Sequence, residues 1–302
     1  MLVAQSKKRR PETIDADIAQ VLRTVSSEKL RGYVEMLAFP RHYVAEREAN
    51  VRARDLLLTL LHNFGYAPLL QGSYHNIVAT SSGPKEGPYL LLGAHYDTVP
   101  GTPGADDNGS AVAVCLECAR LVREHEIGST MIVLFNREED GLLGSSEFVA
   151  SLATQSAWSV DEAHIFEMVG FCNRAPGSQR MPPGLPGVVA PNIGDFLALL
   201  ANQRSNAIAE NLLTLAATYV PQSHVLALKI YLGIERYFGH LLRSDHAPFW
   251  EAGIPSIMWT DTSEFRNPHY HLASDTPDTL DYDFLAQVTK LALARAVSRA
   301  WK

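Results

Sequence analysis

The sequence predicts an α/β fold, a single domain in which a mostly parallel, mixed β-sheet is sandwiched by helices. Three observations carry this. Short apolar runs of β character alternate with longer helical stretches along the chain. No repeat, low-complexity block or obvious linker divides the 302 residues. Imidazole and carboxylate side chains recur at the ends of the apolar runs, where open α/β sheets place their ligand crevice.

Taken in order, residues 1–25 are expected to be an N-terminal tail and the start of the first helix, and residues 26–302 the main domain. Glu46 to Phe64 is the first long helical stretch, followed by apolar strands at His75 to Thr80 and Tyr89 to Ala94. Ser110 to Glu124 is helical, Met131 to Asn136 a strand and Ser145 to Ser151 a helix that follows a Gly-Leu-Leu-Gly turn. A strand is expected at His164 to Val169, a helix over Ile193 to Thr218, strands at Val225 to Ile230 and Pro255 to Thr260, and a last helix over Tyr282 to Ala300. The Pro- and Gly-rich segments Pro100 to Gly104 and Pro176 to Pro191 are expected as rim loops that shape a pocket.

Composition narrows the function. With 46% hydrophobic and 20% charged residues the chain is an ordinary globular protein. A net charge of −7 opposes general nucleic-acid binding, which needs a basic surface. The one basic cluster, Lys7-Lys-Arg-Arg10, reads as a solvated tail. No run approaches the ~18 apolar residues of a membrane span, and the first thirty residues lack a signal-peptide core, so a cytoplasmic protein is expected. Cys115, Cys118 and Cys172 are too few for a disulfide framework, and the first two fall in an apolar helix as small buried hydrophobes.

The chemistry lies in five short motifs. His95 and Asp97 form a His-x-Asp unit at the end of an apolar strand, with Asp97 placed to orient the imidazole. Asp106 and Asp107 follow in a Gly-Ala-Asp-Asp-Asn-Gly loop, where one carboxylate suits a bridging metal ligand and the other a helix cap. Glu138 and Glu139 end another strand. Like charges at a buried rim require a nearby cation or a shared proton, and such a pair can divide the work of binding metal and moving protons. Glu167 lies among Ile165, Phe166, Met168 and Val169, and a carboxylate in a core strand must find a partner or hold a proton. Finally, Ser244-Asp-His and Asn267-Pro-His-Tyr-His bring His246, His269 and His271, among which spacing alone does not choose a ligand.

From about Gly93 to Asp283 these motifs, in this order, resemble the co-catalytic di-zinc aminopeptidases of the bacterial leucyl aminopeptidase type, whose relatives include the glutaminyl cyclases and the transferrin-receptor ectodomain. The resemblance implies that His95 and Glu167 bind one Zn2+, that Glu139 and His271 bind the other, and that Asp107 bridges them. It implies that Glu138 is the general acid/base and that the Asp107–Asn108 peptide is cis. One ion or another divalent metal is the alternative. Glu167 stands where many relatives have aspartate, and Tyr270 where glutaminyl cyclases are expected to have tryptophan. The implied activity is removal of the N-terminal residue from a peptide or aminoacyl substrate. Glutaminyl cyclisation, a metal-free binding role on the same fold, and the carboxypeptidase and aminoacylase group are the competing readings. The last usually carries an inserted lid domain, for which the stretch between Glu167 and His271 is short.

Overall fold

The computed structural model describes residues 1–81, 87–154, 158–182, 188 and 191–301. In chain order the strands are β1 (Leu2–Gln5), β2 (Leu69–Gln71), β3 (Asn76–Thr80), β4 (Tyr89–His95), β5 (Thr130–Phe135), β6 (Val160–Glu167), β7 (Phe196–Ala201), β8 (His224–Lys229) and β9 (Ser256–Thr260). The helices are α1 (Ala16–Leu22), α2 (Ser27–Leu37), α3 (Arg47–Asn63), α4 (Ala111–Glu124), α5 (Leu143–Thr154), α6 (Asn206–Tyr219), α7 (His246–Glu251) and α8 (Tyr282–Ala300). The strands form one mixed sheet in the order β1-β8-β7-β9-β6-β4-β5-β3-β2. Its centre, β9-β6-β4-β5, is parallel. The fold is therefore the expected single α/β domain.

Both faces of the central strands are apolar, as a buried parallel sheet requires. One face packs against α2, α4, α6 and α8 through a core that includes Leu30, Leu92, Leu116, Leu212 and Leu291. The other packs against α5 and α7 through Leu91, Val133, Phe135, Phe148, Ile165 and Phe249. Among the described residues, the β9-β7-β8-β1 half of this second face carries short 3-10 turns near Ile234–Tyr237 and Gly239–Leu241, which pack with Leu200 and Leu228.

Two expectations are corrected. The single helix over Ile193 to Thr218 is instead β7 followed by α6. The run Phe196-Leu-Ala-Leu-Leu-Ala suits a buried strand or a buried helix equally by periodicity, and pairing to β8 and β9 decides it. Asn202 Oδ1 then accepts from the backbone N–H groups of Arg204 and Ser205, turning the chain into α6. The N-terminal stretch is not a free tail either, because Leu2–Gln5 adds an antiparallel edge strand to β8. The side chains of Lys7, Lys8 and Arg10 remain exposed, while Arg9 pairs with Glu210. The Pro176 to Pro191 rim loop lies partly outside the described residues. No helix among the described residues is long and apolar enough to cross a membrane.

Candidate metal centre

The C-terminal ends of β4, β5 and β6 converge, and with them His95, Glu138, Glu139 and Glu167. His95 ends β4 and is 1% exposed. Its Nε2 lies 3.5 Å from Asp107 Oδ1, 3.4 Å from Glu167 Oε2 and 3.9 Å from Glu138 Oε2. The other oxygen of Asp107 is 3.1 Å from His271 Nε2, which is 3.7 Å from Glu139 Oε2. One carboxylate thus stands between two imidazoles, with Glu167 beside the first and Glu139 beside the second. Three groups of donors, His95–Asp107–Glu167, Asp107–Glu139–His271 and His95–Glu138–Glu139, each offer atoms within 4.8 Å of one another, and the first two share Asp107.

The polar atoms are ready for a cation. Both ring nitrogens of His95, Asp107 Oδ1 and Glu139 Oε1 are buried without a hydrogen-bond partner. Burying such groups unpaired is costly, and a set of imidazole nitrogens and carboxylate oxygens is the donor chemistry of zinc. The residues present therefore fit the metal that their pattern implies.

Local folding holds each donor in place. Asp97, fully buried, lies 3.5 Å from His95 Nδ1 and accepts from the backbone N–H groups of Glu138 and Glu139. It ties the imidazole and the glutamate pair into one unit. The Asp107–Asn108 peptide is cis. Asn108 donates to the Phe166 carbonyl and accepts from Met168 N, clamping the chain on either side of Glu167. Asp275 accepts from the N–H groups of Asp106 and Asp107. Asp106 does not cap α4, as the sequence suggested for one of the pair. Its carboxylate accepts instead from Gly170 N and from Asn267 Nδ2, joining three rim loops. Arg137, Met168 and His271 take left-handed backbone conformations with φ of 64°, 46° and 58°, a conformation that non-glycine residues adopt mainly where function over-determines the chain.

Several participants were not legible beforehand. Ser244 Oγ donates to Glu167 Oε2 at 2.7 Å and steadies the longer acid. Arg41 is wholly buried and donates to the carbonyls of Leu37, Tyr96, Pro103 and Gly104, so one side chain shapes the loop between His95 and Asp107. Burial lowers its guanidinium to about 10 against the pull of Asp97, Asp275, Asp107 and Glu139. Gly104 has φ of 61°, and a Cβ there would collide with the Asp107 carbonyl. Among the three histidines the structure separates the roles. His246 donates from Nε2 to the Leu241 carbonyl and packs edge-on to Trp250, His269 pairs with Ser274, and His271 reaches Asp107. Tyr270 stacks on His271 and its hydroxyl accepts from Arg243.

The electrostatics follow from crowding acids in a buried place. Burial raises the Glu138 carboxyl well above the usual range, opposed by His95 and reinforced by Glu167, Asp245 and Glu139. Burial likewise raises Glu139, with the charge of Asp107 adding to it. Asp245, with both oxygens buried and unpartnered, is pushed up to about 7 by burial, against the pull of His95. Burial would raise Asp107 as well, yet the adjacent imidazoles of His271 and His95 hold it below the usual carboxylate range. Burial opposes the charging of His95, but Glu138, Glu167, Asp107 and Asp97 outweigh it and raise its pKa well above the ordinary value.

A mixed α/β sheet whose rim gathers His95, His271, Glu138, Glu139, Glu167 and Asp107 carries the donor set of a metal-dependent hydrolase. Residues 76–296 match Peptidase family M28, and the chain belongs to that family. It is 32% identical over 294 residues to YfbL of Escherichia coli strain K12, covering 92% of this chain and 85% of that protein. Aminopeptidase YwaD of Bacillus subtilis strain 168 is 30% identical over 211 residues, covering 68% of this chain and 40% of that protein. Among solved structures, LapA aminopeptidase of Legionella pneumophila superposes with a TM-score of 0.75 at 20% identity, over 98% of this chain and 78% of that one. That last likeness is one of fold.

Proposed function

We propose that the chain is a zinc-dependent aminopeptidase that hydrolyses the N-terminal residue from peptides. The observation that carries this reading is the Asp107 carboxylate, whose two oxygens face His95 and His271 separately. On this reading His95 and Glu167 hold one ion, Glu139 and His271 the other, and Asp107 both. Bound there, zinc would supply a Lewis acid for the scissile carbonyl and would lower the pKa of a water so that it could be deprotonated for attack. Glu138 takes the proton of the attacking water and delivers it to the departing amine, the work of a carboxylate poised by burial. Asp97 holds His95 in orientation, and the buried Asp245 is one of the acids that raise Glu138.

Zinc analysis together with a panel of aminoacyl amides tests the reading. Hydrolysis that requires zinc and a free substrate amine is the expected result. Equal cleavage of N-acetylated substrates, or release of pyroglutamate without any amino acid from a glutaminyl peptide, would overturn it.

The same acids predict a pH dependence of metal stabilisation. Carboxyls whose folded pKa lies above the unfolded value, about 4, stabilise the metal-free fold fully at low pH. They lose that contribution as pH rises through the folded values, about 7 for Asp245 and for Asp275. Zinc must also displace the protons held by His95 and Glu139. The rise in melting temperature on adding zinc should accordingly be small near about pH 5 and grow toward about pH 8. A rise that is constant or larger at the acid end, measured by scanning fluorimetry in matched buffers, contradicts this electrostatic account.

A further inference from the structure

The segment from Arg41 to Asn50 leads into α3 and precedes the stretch, residues 76–296, that matches the family. We infer that it is the positioning element of the metal centre, and that Arg41 is the positioning residue that sets the separation of His95 from Asp107. The inference rests on the zinc-ligand reading of those two residues and adds to it what holds them in register. Arg41 reaches both ends of the loop between them. Its Nε donates to the carbonyl of Tyr96, next to His95, at 2.6 Å, and its Nη2 donates to the carbonyl of Gly104, close before Asp107, at 3.0 Å. Nη1 donates to Pro103 in the loop and back to Leu37 at the end of α2, each at 2.7 Å. The guanidinium is thus a tie across the base of the loop.

The rest of the segment makes the same two connections. Glu46 Oε1 accepts from Gly101 N at 3.2 Å, and Thr98 Oγ1 accepts from the N–H of Arg41 at 3.0 Å. Toward the glutamates, Asn50 and Asn136 exchange amide hydrogen bonds at 3.0 and 3.1 Å, and His42 Nε2 lies 3.4 Å from Oδ1 of Asp140, the neighbour of Glu139. One short stretch therefore fastens both the loop that supplies His95 and Asp107 and the turn that supplies Glu138 and Glu139. Packing alone does not call for an arginine here. A guanidinium is costly to bury, yet Arg41 is 0% exposed and its side chain bonds to carbonyls. The planar fork of arginine satisfies several such groups at once, which the compact head of lysine does not. Its positive charge near Asp97, Asp107 and Glu139 would by itself oppose a metal ion, so any help it gives zinc comes from its reach.

Arg41→Lys keeps the charge and loses the fork. Zinc affinity, read by competition with a chromophoric chelator, should fall about ten- to a hundred-fold, as it does when a group that holds a metal ligand is lost. In the zinc-free protein, hydrogen exchange at the amides of Thr102, Ala105 and Gly109, which bond to Val99, Asp275 and Gly104, should quicken about ten-fold while the amides of α8 keep the parental rate. An arginine that only supported the fold would speed exchange in both places and leave the zinc affinity of the folded protein unchanged. Glu46→Ala removes a second, part-exposed tie to the same loop and should weaken zinc about two- to ten-fold. Should Arg41→Lys not fold, Glu46→Ala decides alone. Zinc affinity equal to or above the parental value in the folded variants overturns the inference, as does exchange that quickens equally in the loop and in α8. Neither measurement needs turnover. If both come out as expected while the parent cleaves no aminoacyl amide, the positioning role stands and the aminopeptidase reading falls. Cleavage by the parent with unaffected variants gives the reverse.

Discussion

Glu138→Gln should lower kcat by roughly a hundred- to ten-thousand-fold, the range for loss of a positioned general acid/base, while the variant folds and retains zinc. The geometry separates this glutamate from its neighbour. Glu139 stands beside His271 in the second donor group, with one buried oxygen unpartnered. Glu138 approaches His95 only to 3.9 Å and is fixed through its backbone N–H, which donates to Asp97. A carboxylate held by its main chain is free to exchange a proton without releasing a metal. In the metal-free protein its pKa is raised by burial and by Glu167, Asp245 and Glu139, against the pull of His95. The amide of glutamine keeps the size and cannot take the proton. Near-normal turnover in a variant that still holds zinc would remove Glu138 from the proton path. A variant that loses zinc would instead move it into the metal shell.

Much of the outline of this site was legible because three of its acids stand at or just after apolar strands, while Asp107 was marked by its loop of paired carboxylates. A carboxylate after a buried strand has few inexpensive explanations, and Glu138, Glu139 and Glu167 each stand in that place. Strands β3, β4, β5, β8 and β9 were legible for the same reason. What stayed hidden was decided by partners distant in sequence. Phe196–Ala201 is a strand because β8 and β9 flank it, and no local signal in six apolar residues says so. Leu2–Gln5 is a strand only because β8 offers an unpaired edge.

The side chains of Arg41 and Ser244 act through contacts 55 or more positions away, to Tyr96 and Glu167. An arginine beside an apolar helix end reads as solvated until the carbonyls it satisfies are known. Asp106 shows the converse error. A loop aspartate before a helix suggests a cap, yet its partners are Gly170 and Asn267, which only the closed sheet brings near. Glu167, expected to stand where many relatives have aspartate, also acquires a physical account. The longer side chain reaches within 3.4 Å of His95 and is held there by the Ser244 hydroxyl.

Asp107→Asn should cost the protein its metal more completely than any change in the surrounding hydrogen-bond partners. Losing an outer partner of a metal ligand typically weakens affinity by about ten- to a hundred-fold. Asp107 faces both imidazoles, so its loss should exceed about a hundred-fold. The asparagine preserves shape, and the loop is tied by groups that the substitution leaves alone. Asp275 accepts from the backbone N–H of residue 107, Asn108 bridges Phe166 and Met168, and Arg41 holds the preceding carbonyls. The fold should therefore persist with a melting temperature close to that of the zinc-free parent. Removing the anion also withdraws one of the four acids that favour protonation of His95, so that histidine should titrate at lower pH, a shift visible by NMR in the metal-free protein. Zinc per chain after dialysis at fixed free zinc decides the matter. Retention of parental zinc content by Asp107→Asn would mean that the two imidazoles do not share an ion-bridging carboxylate, and the assignment of Glu139 and His271 to a second ion would fall with it.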